Sequence, residues 1–202
     1  MTKENFCKNL HILIKERQPK VIKEMIPLLT DLFKSKDPAL ENINLSKFMG
    51  TYTEHFLSNA RKLQKQALGL IVPIQEWQET DSFMEEMKGL FNTIKMKVQE
   101  QALNIVLELV DQGKIQELGY LKKLWKPIAK LTNSRTAKIR KKAMDVYKES
   151  YLWMGPQMKV FTGDLKDKEK KDFEKYMGEV TPEQMKVVKS KKGGKQAKVP
   201  DL

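Results

Sequence analysis

KVIKEMIPLL from Lys20, KLQKQALGLI from Lys62, KVQEQALNIV from Lys97 and KIRKKAMDVY from Lys138 align as four copies of one pattern. Each opens on Lys, then Val, Leu or Ile, a spacer, a Lys or Glu, a second spacer, and two residues drawn from Ala, Met, Leu and Ile. The starts lie 42, 35 and 41 residues apart, around the ~40-residue period of stacked helical hairpins. Apolar residues recur at helical spacing, Val98, Ala102, Leu103, Val106, Leu109 and Val110 in one copy and Ile139, Ala143, Met144, Val146 and Tyr147 in another. Each copy therefore opens the second, or B, helix of a hairpin. An amphipathic A helix precedes each, over residues 5–15, 39–57, 82–94 and 115–131.

Working outward, start signals mark further boundaries. Pro19, Pro38 and Pro182 each follow a polar residue and suit the first turn of a helix, and Ser82 with Glu85 has the spacing of a capping box. The expected helices span 3–16, 19–35, 38–56, 60–75, 81–93, 96–113, 115–131, 136–154, 157–164, 167–177 and 182–188. Pro27, Pro73 and Pro127 fall within apolar helices and are expected to kink them. The predicted fold is all-α, an α-solenoid of about four HEAT-like helical hairpins plus C-terminal closing helices. Such a stack buries its core between neighbouring hairpins and lines up its loops along two edges.

The 202 residues carry a net charge of +12 and 40% hydrophobic residues, enough to bury a core in one domain. The longest stretch without a charge, Gln66 to Gln75, has ten residues, whereas a bilayer-spanning helix needs about 20. No membrane partner is expected, and a lone cysteine without a signal-peptide pattern suits a reducing, cytoplasmic setting. The stretch from 186 to 202 holds Lys186, Lys189, Lys191, Lys192, Lys195 and Lys198 against one Asp, so +5 of the charge resides there and +7 on the other 185 residues. With Gly193 and Gly194 and no apolar period, it reads as a flexible electrostatic tail attached to a helical array over 1–185.

The A-to-B turns explain where the rest of the charge lies. They read KERQPK at 15–20, SNARK at 58–62, IKMK at 94–97 and NSRTAK at 133–138. All four are basic, and a solenoid brings them to one edge. A cation at the start of a helix opposes the macrodipole by roughly 0.3–1 kcal/mol, so four recurrences point to a positive strip facing something extended and acidic. Arg61 and Lys62 are its candidates in the second turn. Solvated lysines with no partner are the plain alternative.

The stretch from Lys138 to Gln157 resembles the last repeat of TOG domains, the HEAT-repeat tubulin-binding modules of the microtubule polymerase family. The likeness is carried by Ile139-Arg140, Ala143, Val146-Tyr147, the closing Tyr151-Leu152-Trp153-Met154-Gly155-Pro156, Leu165 and Phe173-Glu174-Lys175, and spans Lys97 to Met177. It implies a paddle whose A-to-B turns grip tubulin or microtubules, with Lys95, Lys97, Ser134, Arg135 and Lys138 at the family's contact positions and Arg140 bracing the turns. It also implies a place on the microtubule cytoskeleton, spindle or cilium included. The family pattern has six repeats and a Trp in its first turn. Here there are about four, and the first turn is Glu16-Arg17-Gln18-Pro19, which marks a shortened or diverged array.

Other functional classes find little support. Cys7 and His11 stand at i and i+4, but no second pair completes a four-ligand metal site. His11 and His55 are the only imidazoles, and no phosphate loop or nucleophile elbow occurs, so neither enzyme activity, small-molecule substrate nor cofactor is expected. A helical array binding nucleic acid through its backbone would want base readers, and the turns offer only Gln18, Asn59 and Asn133. A protein scaffold working through its other edge would use the acidic B-to-A links at Asp37, Glu79, Asp81 and Asp111. Trp77, Trp125 and Trp153 sit among apolar neighbours and are expected to pack.

Overall fold

The computed structural model describes residues 3–114 and 121–186, and every described element is helical. The first hairpin pairs α1 (Lys3–Leu13) with α2 (Pro19–Lys34). The second runs from α3 (Leu45–Thr51) through a π turn (Tyr52–Phe56) into α4 (Leu57–Asn59), then returns through a 3-10 turn (Arg61–Leu63), α5 (Gln64–Gly69) and α6 (Ile71–Trp77). The third pairs α7 (Thr80–Phe91) with α8 (Met96–Asp111), and the fourth pairs α9 (Lys122–Leu131) with α10 (Ala137–Met154). A 3-10 segment (Gly155–Thr162), α11 (Asp167–Glu179) and a last 3-10 turn (Pro182–Gln184) close the stack. Over the described residues the chain is thus an all-α, HEAT-like solenoid of four hairpins plus a closing segment.

The second hairpin departs most from expectation, and its chemistry shows why. Residues 38–42 form a 3-10 turn instead of opening a helix. The helix begins at Leu45 because the Asn44 side chain accepts the Lys47 N–H at 2.8 Å and caps it there. The expected helix over 60–75 is broken after Gly69, since Pro73 has no N–H to give to the Gly69 carbonyl and its ring crowds that oxygen. By contrast α2 and α9 run on through Pro27 and Pro127. Ser82 and Glu85 do not form a capping box. Helix α7 already starts at Thr80, so Ser82 lies inside its first turn.

One apolar core runs the length of the array. At the N-terminal side, Phe48, Tyr52 and Phe56 stack along one face with centroids 5.9 and 5.7 Å apart. Phe33 meets Phe48 at 5.5 Å and Trp77 at 5.3 Å, tying the first two hairpins together. The fully buried Tyr52 hydroxyl donates to the Ala67 carbonyl, and burial holds its pKa far above that of a free phenol, with Glu108 adding to the effect. At the other end Tyr147 has no exposed surface and meets Trp125 at 4.9 Å and Phe173 at 5.8 Å. Trp125 stacks on Phe161 at 5.4 Å. The closing segment therefore finishes the core of the fourth hairpin, as an end cap of a solenoid must.

Candidate functional site

Cross-hairpin contacts place the four A-to-B turns along one edge. The Asn59 amide donates to the Glu16 carbonyl at 3.0 Å, joining the second turn to the first. Lys95 in the third turn meets Glu54 on the π turn of the second hairpin at 2.8 Å. The Thr136 hydroxyl donates to Met96 Sδ, and Lys138 meets Glu100 on α8 at 2.9 Å, joining the fourth turn to the third hairpin. Each tie spans about 40 residues of chain, so stacking, not local sequence, brings the groups together. Lys95 also holds the Glu54 carboxyl below the usual glutamate range through their hydrogen bond.

The individual turns are braced internally. The Glu16 carboxylate folds back onto the N–H groups of Arg17 (2.7 Å) and Gln18 (2.9 Å), and these bonds, Gln18 first, lower its pKa. Arg140 donates from Nη1 to the carbonyls of Ser134 (2.8 Å) and Arg135 (2.9 Å). It therefore braces its own turn, where the resemblance implied the bracing of neighbouring turns. The Ser134 hydroxyl accepts the Thr136 N–H at 3.3 Å.

These ties sort the basic candidates. Lys95 and Lys138 are ion-paired along the edge. Lys62, Lys97 and Arg135 are exposed and make no ion pair among the described residues. The Arg61 side chain lies outside the described residues, as do Lys189, Lys191, Lys192, Lys195 and Lys198, the Cys7 side chain, and the 115–120 part of the fourth A helix. Lys186 is described, and it sits elsewhere. Its Nζ lies 2.9 Å from Asp111 and 3.1 Å from Glu149, near the C-terminal ends of α8 and α10. Those ends form the B-to-A edge, about 24 Å from the turns by the length of the 16-residue α8.

Two residues that the charge pattern does not reveal belong to the strip. Ile94 is 97% exposed and Met96 59% exposed, both in the third turn beside Lys95. Ile94 continues the apolar spacing of Met87, Leu90 and Phe91, so the period alone assigns it to the core; it is exposed because α7 ends at Phe91. The acidic members, Glu54 and Glu100, show no sequence signal either.

The two edges differ in charge. On the B-to-A side three acids are matched by lysines of a neighbouring element, Glu76 with Lys114 at 2.6 Å, Asp81 with Lys123 at 2.8 Å, and Asp111 with Lys186. On the A-to-B side cations remain in excess. Of the three candidate base readers, Asn59 spends its amide on the Glu16 carbonyl and Asn133 donates to the Thr132 hydroxyl at 3.2 Å. No described helix is long and apolar enough to cross a membrane.

Comparison with known proteins agrees with this architecture. No curated protein sequence matches the chain. Among solved structures, a TOG domain of Zyg9 from C. elegans superposes with a TM-score of 0.61 at 16% identity, covering 86% of this chain and 69% of that one. At that identity the likeness speaks for the fold, a HEAT-like helical solenoid. The sequence profile of the XMAP215/Dis1/CLASP TOG domain matches residues 34–177. That match takes in three of the four hairpins and the closing segment as far as residue 177, well upstream of Lys97, and the chain belongs to the XMAP215/Dis1/CLASP TOG domain family.

Proposed function

We propose that this chain is a tubulin-binding module that docks through its A-to-B turns. The observation that carries the reading is the edge itself. Four basic turns are tied side by side, with Lys97, Arg135 and Ile94 exposed between the ties. Charge-assisted contacts from separate, braced turns set register on an acidic surface. The exposed aliphatic group adds apolar area that can be desolvated on contact. The array over 1–185 is the docking body and the basic stretch over 186–202 a salt-sensitive auxiliary, with the microtubule cytoskeleton as the place of action. A scaffold acting through the B-to-A links is less well supported, because two of its four acids, Asp81 and Asp111, already hold lysines.

The test is charge reversal on the edge. A variant with Lys97→Glu, Arg135→Glu and Lys138→Glu is run with soluble tubulin on a sizing column and co-sedimented with microtubules. Affinity is expected to fall at least tenfold, about 1.4 kcal/mol or more, with the far-UV spectrum unchanged. Wild-type affinity in this variant would remove the docking edge from the account. Steep, salt-dependent binding of wild type to duplex DNA with none to tubulin would replace it with phosphate-backbone binding.

A further inference from the structure

Lys186 is held by more than its two carboxylates. Its Nζ lies 5.6 Å from the centroid of the Trp153 ring, and its backbone N–H donates to the Leu152 carbonyl at 2.7 Å. The Trp153 ring in turn packs on Gly113, where an added Cβ would lie 3.1 Å from the ring and where the backbone is left-handed at φ +72°. Only a glycine serves both demands. The carboxylates come from different hairpins, Asp111 from the end of α8 and Glu149 from α10. An aromatic face with two carboxylates is the chemistry that recognises an alkylammonium. The lysine side chain is 31% exposed, against 64% for Asp111 and 40% for Glu149, so it is the most enclosed of the three.

We propose that Asp111, Glu149 and Trp153 form a lysine-binding site on the B-to-A edge, that Lys186 is its occupant, and that this clasp fixes the root of the basic C-terminal stretch there. It also joins the third and fourth hairpins, since the one ammonium bridges α8 and α10. The lysine expected from sequence to act as a free tether charge is thus committed within the chain. The stretch after Lys186 starts from the edge opposite the basic turns. Loss of the ammonium charge opens the clasp, leaving Asp111 and Glu149 facing each other without a cation.

Amide hydrogen exchange on the full chain without tubulin tests this directly, and so independently of the docking proposal. Lys186→Met keeps the aliphatic stem and removes the charge. The N–H of residue 186, and the peptide covering 182–186, should exchange about tenfold faster, the order expected when a hydrogen-bonded charge pair is lost. Asp111→Asn with Glu149→Gln should reproduce the effect, and Lys186→Arg should stay near wild type. Raising salt should speed exchange in wild type but not in Lys186→Met. Thermal melts accompany each variant, so that a global loss of fold is read separately. Unchanged exchange in Lys186→Met in a folded chain, or equal acceleration in Lys186→Arg, would overturn the clasp.

Discussion

Tyr147→Ala should lower the stability of the chain by about 3–5 kcal/mol, the range for truncating a large buried aromatic. Tyr147 is fully buried, with Trp125 at 4.9 Å on one side and Phe173 at 5.8 Å on another, and its hydroxyl reaches the carbonyls of Trp125 and Phe161 at a long 3.4 Å. Burial first, and Asp164 second, push its phenol pKa well above the usual value. The ring, not the hydroxyl, carries the effect, and Tyr147→Phe should cost no more than about 1 kcal/mol because both hydrogen bonds are long. Urea unfolding measures both. A Tyr147→Ala loss under about 1 kcal/mol would mean that the closing segment does not complete the fourth hairpin.

Ile94→Asp should do the reverse, changing binding and sparing stability. At 97% exposure Ile94 has almost no packing to lose, so the melting curve should stay within about 0.5 kcal/mol of wild type. If the third turn is desolvated on an acidic protein surface, the substitution removes about 1.5–3 kcal/mol of apolar burial and adds a repelling charge. Affinity for soluble tubulin should then fall by tenfold or more in a chain that folds as before. Equal affinity would place Ile94 outside the interface. Together with Tyr147 it separates a residue that holds the array from one that the array displays.

How far the fold could be read from the sequence depends on which interactions are local. The hairpin spacing and the Pro19 start of α2 follow from the repeat period and from backbone chemistry local to one helix. The break after Gly69 was also in reach, because Pro73 removes the bond at that point. The π turn was not. It lies within a continuous apolar period and leaves no residue-type mark.

The basic turns were legible as a recurring composition, whereas their ties were not. Lys95 with Glu54 and Lys138 with Glu100 join residues on different hairpins, and their pairing depends on how the hairpins stack. The same holds for Lys186, which meets Asp111 across 75 residues of chain. Composition counts each lysine as one unit of a diffuse +12. The structure divides them into charges that hold the array, Lys95, Lys138 and Lys186 among them, and charges that it presents, of which Lys97 and Arg135 are the clearest.

The most direct test of the docking edge is amide hydrogen exchange of the whole chain with and without soluble tubulin. The account predicts slowed exchange at 15–20, 58–62, 94–97 and 133–138, with no change at the B-to-A links around Asp81 and Asp111. Protection on those links, with the four turns exchanging as they do in the free chain, would contradict it.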